Sequence, residues 1–217
     1  MALTYPLSLA AFRDLLPIAS VKWTLARQDE QSGLASGEIL SAELAPPLWT
    51  ARVALDVMSH REAARIAALI EALDGSINAF FLSAPAHEYP AADPHGSILG
   101  EAAPQILSVA AGGGAMALGG LPEGYALTPG DFLAFDHGSS PVRRAFHRIV
   151  EAAIADGAGE TAQFTVRPHL PAAAAAEIAV TLIRPAARVS IVPGSYDEGE
   201  SVGALTRGMA FNCREKR

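Results

Sequence analysis

The chain has 217 residues, of which 50% are hydrophobic and 18% charged, so it can bury a substantial core and is not a disordered chain. Its formal net charge of −7 argues against a protein that holds nucleic acid over a broad surface, because phosphate contacts need clustered Lys and Arg. A single cysteine, Cys213, excludes an internal disulfide and a cysteine-rich zinc site.

The sequence shows no secretion signal at its start and no uninterrupted apolar run of about 20 residues. We therefore expect a soluble protein without membrane insertion, synthesised in the cytoplasm. Two short basic clusters, Arg143–Arg144 with Arg148 and residues 214–217, are interrupted by other residues. A solvated surface explains them best, and a phosphate or lipid contact is the alternative.

Alternation of apolar and polar residues dominates the first part of the chain and is typical of half-buried strands. Residues 7–13 are expected to form a short strand or arm, and residues 31–37 a flexible connection. Pro46 and Pro47 are expected to end the second strand. The strands predicted here are residues 21–27, 38–44 and 49–57.

The apolar period changes after residue 58, where a helix is predicted at about residues 59–74. Ser59 and Glu62 have the spacing of a capping box, in which each side chain accepts a backbone N–H of the other residue. Gly75 follows as a helix stop. The helix face at spacings of three and four residues comprises Ala63, Ile66, Ala67, Ile70 and Leu73.

The second half of the chain reads as short strands separated by Gly- and Pro-rich turns, which is typical of a small closed β unit. The sequence therefore predicts a β-rich α+β fold. Its first domain combines residues 1–97 with residues 185–217, and an inserted all-β, barrel-like domain spans residues 98–184. The strands predicted after the helix are residues 77–82, 105–110, 115–118, 132–135, 145–154, 163–166, 178–183, 188–192 and 208–213.

Motifs for catalysis are scarce. The sequence contains no G-x-S-x-G elbow, no phosphate-binding loop and no dinucleotide fingerprint, and residues 112–114 are interpreted as a glycine hairpin tip. The best metal-site candidate is the loop with His87, Glu88, Asp93 and His95, whose imidazoles and carboxylates suit Zn²⁺ or Mn²⁺. Pro90 breaks any regular element there, so an ordinary polar loop is the preferred interpretation.

For two further groups of residues, a simple structural role is the preferred interpretation. Asp136, His137 and Ser139 offer an acid, a base and a hydroxyl, but neighbouring side chains on an extended chain point to opposite faces, so a turn explains them better. His147 and His169 occur singly on predicted strands or at their ends, and each is expected to have a structural role. Trp23 and Trp49 are expected to be core residues rather than a platform for a sugar. The sequence assigns no catalytic, cofactor-binding or metal-ligating residue.

Several phrases of this sequence are distinctive as a set. The longest are Ala45-Pro-Pro-Leu-Trp-Thr-Ala-Arg-Val and Met58-Ser-His-Arg-Glu-Ala-Ala-Arg-Ile, with a Phe80-Phe-Leu phrase and a Tyr89-Pro-Ala-Ala loop after them. Further phrases are residues 120–122, 127–133, 147–151, 164–168 and 183–187. Together they resemble tail proteins of siphophages and prophages from alphaproteobacteria. The likeness spans most of the chain, but its motifs are structural rather than chemical.

The resemblance implies a distal tail protein with a tail-tube-like β-sandwich and one flanking helix. Such a protein forms a ring, commonly hexameric, that joins the tail tube to the hub and baseplate at the tip of the virion tail. It implies no enzyme activity and no cofactor. The expected partners are copies of the same chain, the tube protein, hub proteins and, as a further candidate, the tape-measure protein.

In such a ring, DNA passes through the lumen without specific binding, and the negative charge of the chain would keep it from sticking. Glu38 and Glu43 are candidate lumen carboxylates. The alternatives are a hub or minor tail-completion protein, a carbohydrate- or receptor-binding module, and a metal-dependent hydrolase that uses His87, Asp93 and His95.

Overall fold

The computed structural model describes residues 3–217. This part of the chain forms one α-helix, α1 (His60–Glu71), two short 3-10 helices (Arg13–Leu15 and Pro85–His87) and sixteen strands. The predicted β-rich α+β class with one flanking helix is thereby confirmed. The strands are β1 (Ile18–Gly33), β2 (Ile39–Leu55), β3 (Met58–Ser59), β4 (Phe80–Ser83), β5 (Gln105–Val109), β6 (Ala115–Gly119), β7 (Ala126–Leu127), β8 (Phe132–His137), β9 (Arg143–Ile149), β10 (Ala153–Ile154), β11 (Phe164–Arg167), β12 (Val180–Thr181), β13 (Ala186–Ile191), β14 (Glu200–Val202), β15 (Leu205–Arg207) and β16 (Ala210–Glu215).

The first sheet combines strands from both ends of the chain in the order β1-β2-β16-β13-β4, with antiparallel neighbours throughout. Its β4 side is covered by the N-terminal segment. Leu7 N–H donates to the Ala79 carbonyl at 3.0 Å, and Phe81 N–H donates to the Leu7 carbonyl at 2.9 Å. Of the two forms predicted for residues 7–13, a short strand or an arm, the strand is not formed, and these residues contribute one bridge and a series of turns.

The second sheet has the order β12-β8-β9-β11-β6-β5 and lies wholly within residues 105–181. Its two outer strands meet, because Ile106 N–H donates to the Ile178 carbonyl and Glu177 N–H donates to the Ile106 carbonyl, both at 2.9 Å. Val180 N–H adds a bond of 2.8 Å to the Pro104 carbonyl. These bonds close the sheet into a small barrel, which removes its free edges.

The helix lies beside the first sheet and buries the face that the sequence predicts. Ala63, Ile66 and Ile70 are buried, and Ser59 Oγ accepts the Glu62 N–H at 3.3 Å, as expected for an N-cap. A small hairpin, β14–β15, pairs with β3 at the start of the helix. Among residues 3–217, none of the helices is long and apolar enough to cross a membrane.

Aromatic packing joins the first sheet to the barrel. The Trp49 indole Nε1–H of β2 donates to the Phe146 carbonyl of β9 at 2.7 Å, and the Phe132 and Phe146 rings stack with centroids 4.8 Å apart. These two barrel residues belong to the core cluster of the first sheet rather than to that of the barrel. Trp49, only 1% exposed, is thus a core residue as predicted.

The two prolines of the first sheet do not end a strand, so the prediction of separate strands at residues 38–44 and 49–57 is wrong. β2 runs without interruption from Ile39 to Leu55. The pairing with β1 shifts where Leu48 faces Ala26 and Ala45 faces Gln28, which leaves Pro46 and Pro47 within an irregularity. A bulge tolerates residues without an N–H, because the ladder bond is already interrupted there.

The division into a first domain of residues 1–97 and 185–217 and an insertion of residues 98–184 stays a prediction. Residues 1–2 of that range lie outside the described residues. The chain passes from the first sheet to the barrel, and back again, near the predicted limits. However, the aromatic cluster that the two units share packs them against each other through their cores.

Candidate functional site

The most prominent surface feature is the outer half of the β1–β2 hairpin, which we call the arm (residues 27–46). Its strands stay paired out to Gly33 and Ile39, but residues 39–46 are all exposed. Seven residues of β1 at about 3.3 Å each give the arm a reach of about 20 Å. An isolated two-stranded ribbon is marginally stable in water, so the arm is a segment that a partner surface would stabilise.

Apolar side chains lie along the arm where no other part of the described chain covers them. Ile39 is 64% exposed, Leu40 51% and Leu44 68%. Leu34 near the tip is also exposed. A cluster of exposed large aliphatic side chains on one projecting element is typical of an interaction surface.

The arm also carries a free strand edge. β1 is the outermost strand of the first sheet, whereas the opposite edge at β4 is covered by Leu7 and the barrel sheet closes on itself. Within residues 3–217, the outer edge of β1 is unpaired, and β2 is also unpaired on its other side within the arm, because β16 pairs only with residues 50–54 of β2. Unpaired backbone N–H and C=O groups can pair with a strand of another chain.

Charged side chains of the arm are mostly acidic. Arg27 pairs with Asp29 at 2.6 Å and with Glu43 at 3.6 Å, while Glu38 at the turn is exposed. Glu38 was expected to lie in the strand predicted at residues 38–44, but it immediately precedes β2. Both candidate lumen carboxylates, Glu38 and Glu43, therefore lie on the arm. Which surface they face in an assembly stays a prediction.

The loop that carried the metal-site alternative does not bring its ligands together. Asp93 is buried and turned inward, where its carboxylate accepts the N–H groups of Ile98 at 3.1 Å and Leu99 at 2.9 Å. These bonds hold the pKa of Asp93 below its ordinary value although burial acts in the opposite direction. His87 and His95 are exposed, and residues 3–217 contain no group of three or more His, Cys, Asp or Glu side chains placed to hold a metal ion.

The acid, base and hydroxyl at residues 136–139 are likewise not assembled as a triad. Asp136 and His137 are the last two residues of β8, and Ser139 lies in the turn after them. The Asp136 carboxylate pairs with Arg144 on the neighbouring strand at 3.1 Å. The predicted turn therefore includes Ser139 but not Asp136 and His137, which lie at the end of a strand.

The structure brings His147 and His169, for which single structural roles are expected, to the same cleft as His137. His137, His147 and His169 all line one cleft of about 360 Å³ between the base of the arm and the barrel. Five arginines line the same cleft: Arg27, Arg143, Arg144, Arg167 and Arg217. No local motif marks this grouping, because its members come from strands that are distant in sequence.

The arginines of the first basic cluster, Arg143, Arg144 and Arg148, have different roles. Arg143 is exposed, as predicted for a solvated surface, but Arg144 is partly buried and donates to the Ala186 carbonyl at 3.1 Å. Arg148 lies over the Trp49 and Phe132 rings, with its guanidinium carbon 5.0 and 4.7 Å from their centroids. A solvated surface is therefore the wrong interpretation for Arg144 and Arg148, since both pack against the protein.

His147 is the most unusual of the titratable groups in the cleft. It is 2% exposed, and its ring stacks on Phe135 with centroids 5.5 Å apart. Its Nδ1 donates to the Pro168 carbonyl at 2.9 Å, because a carbonyl oxygen can only accept. Burial lowers the pKa of His147 to about 4, so the ring is neutral at physiological pH and its Nε2 carries a lone pair.

Acidification is expected to destabilise the chain through His147. A pKa near 6.5 in the unfolded chain and about 4 in the folded one means that the unfolded state binds more protons between these values. The stabilisation is therefore complete above pH 6.5 and is lost as pH falls towards 4, by about 3 kcal/mol. Urea unfolding at pH 7 and at pH 4 measures the difference.

The variant His147→Gln should show a smaller loss of stability than the original chain over that pH range. The exposed His169→Gln serves as the matched control and should behave like the original chain. Glu215 acts with opposite sign, because burial raises its pKa and protonation at low pH relieves its desolvation. An NMR titration in which His147 gains its proton near pH 6.5 in the folded chain would contradict the assignment.

Comparison with models of known protein families gave no match, and comparison with curated protein sequences gave none either.

Proposed function

We propose that this chain is a structural subunit of a phage tail tip, which assembles with its own copies into a ring between the tail tube and the hub or baseplate. The observation that carries the proposal is the arm, with its unpaired β1 edge and its exposed aliphatic side chains. The sequence phrases that resemble siphophage distal tail proteins give the ring its biological setting.

An arm of this kind favours assembly between copies for a physical reason. Its β1 edge offers backbone hydrogen bonds, and its exposed side chains offer apolar area, so both the ladder and the packing would be completed by a neighbouring subunit. The arm of each copy would contact a different surface of the next copy. Such head-to-tail contacts repeat around a closed ring when the rotation between subunits divides the circle.

The assembled ring would be a non-enzymatic channel rather than a reaction site. Its partners would be the tube protein above, hub or baseplate proteins below and, within the lumen, the tape-measure protein and then DNA in transit. Acidic side chains of the arm such as Glu38 and Glu43 would repel DNA from a lumen wall. This role places the mature protein in the distal virion tail after its synthesis and assembly in the host cytoplasm.

The test is the size and shape of the purified chain. Light scattering across a concentration series, combined with negative-stain imaging, should give closed rings, with a hexamer as the expected order. Mixing with the tube protein of the same phage should produce rings at tube ends. A chain that stays monomeric at high concentration, alone and with tube protein, would overturn the proposal.

A further inference from the structure

One face of the first sheet is open to solvent. The helix and the barrel pack on the opposite face, which contains Trp49, Val53 and Phe211. Residues that alternate with these along the strands point the other way. We call that side the open face; six of its residues are exposed and none is buried. It comprises Ser20, Lys22, Thr24, Thr50, Arg52, Ala54, Ser190, Ala210, Asn212 and Arg214.

Three cations lie close together on the open face, and the register of the sheet fixes their positions. Lys22 of β1 stands directly opposite Arg52 of β2. Arg214 of β16 stands opposite Thr50, two residues from Arg52 on the same side of the sheet. By strand geometry, the Cα atoms of Lys22 and Arg52 are about 5 Å apart, and those of Lys22 and Arg214 are about 12 Å apart.

The three cations have no partner of opposite sign within residues 3–217, because none of them forms an ion pair there. Like charges directly opposite each other destabilise a sheet, so the pair of Lys22 and Arg52 lowers the stability of the free chain. The chain as a whole carries a net charge of −7 and still concentrates cations here. The open face is therefore suited to an acidic partner surface.

The arm carries the complementary charge. It contains four carboxylates and one arginine, Arg27, with which Asp29 and Glu43 are paired. Glu30 and Glu38 have no ion pair in the part of the chain that the structure describes. Glu38 pairs through its backbone with Leu34, four residues beyond Glu30, so the two glutamates are about 13 Å apart along the arm.

Apolar or small side chains accompany the charges on both surfaces. On the arm, Glu30 and Leu40 lie on the same side of the ribbon, because Glu30 stands opposite Ala42, two residues from Leu40. On the open face, a row of small side chains borders the cations. This row consists of Ser20, Ala54 and Ala210. A leucine of a docked arm would lie over this row while the glutamates reach the cations.

We infer that the open face is the docking surface for the arm of a second copy of this chain, with Glu30 and Glu38 of the arm paired to the three cations. This inference rests on the proposed function, because it names the surface that the arm contacts in the ring. It assigns Glu38 to the contact between copies and leaves Glu43 as the candidate lumen carboxylate. Nucleic acid is a less suitable occupant, because the net charge of the chain repels phosphates.

Two variants with reversed charges test the contact. The arm variant carries Glu30→Lys and Glu38→Lys, and the face variant carries Lys22→Glu, Arg52→Glu and Arg214→Glu. Each variant alone brings like charges together, so the concentration needed for association should rise at least about tenfold. Light scattering over a concentration series at low ionic strength measures it, and circular dichroism checks that each variant is folded.

The decisive measurement is an equimolar mixture of the two variants. The basic arm of the first fits the acidic face of the second, and the acidic arm of the second fits the basic face of the first. Association should therefore return in the mixture, with the two variants alternating. The unmodified chain gives an independent measurement, because raising the salt concentration from about 0.05 M to about 0.5 M should weaken its association at least about tenfold.

Matched controls reverse the same numbers of charges outside the two surfaces. Arg61→Glu, Arg65→Glu and Arg143→Glu replace three exposed cations, and Glu101→Lys with Glu123→Lys replaces two exposed carboxylates. Both controls should associate as the original chain does. A DNA duplex of about 20 base pairs, which presents phosphates instead of an arm, is the probe for the alternative occupant.

The outcomes separate this inference from the proposed function. If the original chain and both reversed variants form rings at the same concentration, or if the mixture does not recover association, the docking surface is wrong and the ring role stands. Dimers or open chains that depend on the same five residues would support the docking surface and contradict the ring. A chain that is monomeric throughout would overturn both, and DNA binding that only the face variant loses, with unchanged association between copies, would assign the open face to nucleic acid.

Discussion

A chain that carries Ile39→Ser, Leu40→Ser and Leu44→Ser together should remain a folded monomer under conditions in which the original chain is expected to form the proposed rings. These side chains are more than half exposed, so replacing them costs the free subunit little stability. In an assembly each buried aliphatic side chain contributes about 1.5–3 kcal/mol, which corresponds to a tenfold or larger loss of affinity for each one removed. Light scattering and negative-stain imaging measure the outcome.

The matched control replaces three equally exposed isoleucines that lie outside the arm. Ile77, Ile98 and Ile154 are 71%, 55% and 66% exposed, and their combined replacement by serine removes a comparable amount of apolar surface. Rings should persist in this control. If both triple variants form rings as the original chain does, the arm does not carry the assembly.

Replacing Trp49 by alanine should lower the free energy of unfolding by about 3–5 kcal/mol, the range for truncating a large buried aromatic side chain. The indole packs against Phe132 and Phe146, lies under Arg148 and donates to the Phe146 carbonyl. The loss would therefore affect the junction between the first sheet and the barrel. Denaturant unfolding followed by circular dichroism measures it.

Two conservative variants separate packing from hydrogen bonding at this junction. Trp49→Phe keeps an aromatic ring but leaves the Phe146 carbonyl without its 2.7 Å donor, so an intermediate loss is expected. Trp23→Phe should cost less, because Trp23 is only half-buried and its Nε1 has no partner among the described residues. An equal loss for Trp49→Phe and Trp23→Phe would mean that the indole bond contributes nothing.

The elements that could be predicted from the sequence are those with a local signal. Ser59 and Glu62 mark the start of the helix, and the apolar period gives its buried face. Most of the predicted strands in the barrel overlap real ones, because apolar residues and glycine turns alternate there at short intervals. These signals lie within about ten residues of the elements that they specify.

Features set by pairing over long distances could not be predicted. Pro46 and Pro47 are normally strand breakers, and their position within a pairing irregularity depends on where β1 bulges. The hairpin of β14 and β15 was missed because its strands have three residues each and its partner is β3, far back in the chain. The cleft was missed for the same reason, since Arg27, Arg143 and Arg217 share no motif.

Asp93 shows that a residue of a type suited to metal binding can instead have a structural role, as an acceptor of backbone hydrogen bonds. In the sequence it stands between two histidines and suggests a ligand. In the fold it accepts two N–H groups of the loop that leads into the barrel. The burial of this aspartate has no counterpart in the local sequence pattern, which predicts an exposed polar loop.

The position of β16 has a consequence for the order in which this chain folds. β16 lies between β2 and β13 in the first sheet, and the bond from Trp49 N–H to Glu215 Oε2 spans 166 residues of sequence. All barrel strands are translated before β16, so the barrel can close while the edge of β2 that later pairs with β16 is still unpaired. Until β16 is synthesised, the edges of β2 and β13 that will face it are both unpaired. Slow translation or crowding at this stage should therefore favour aggregation over formation of the complete sheet.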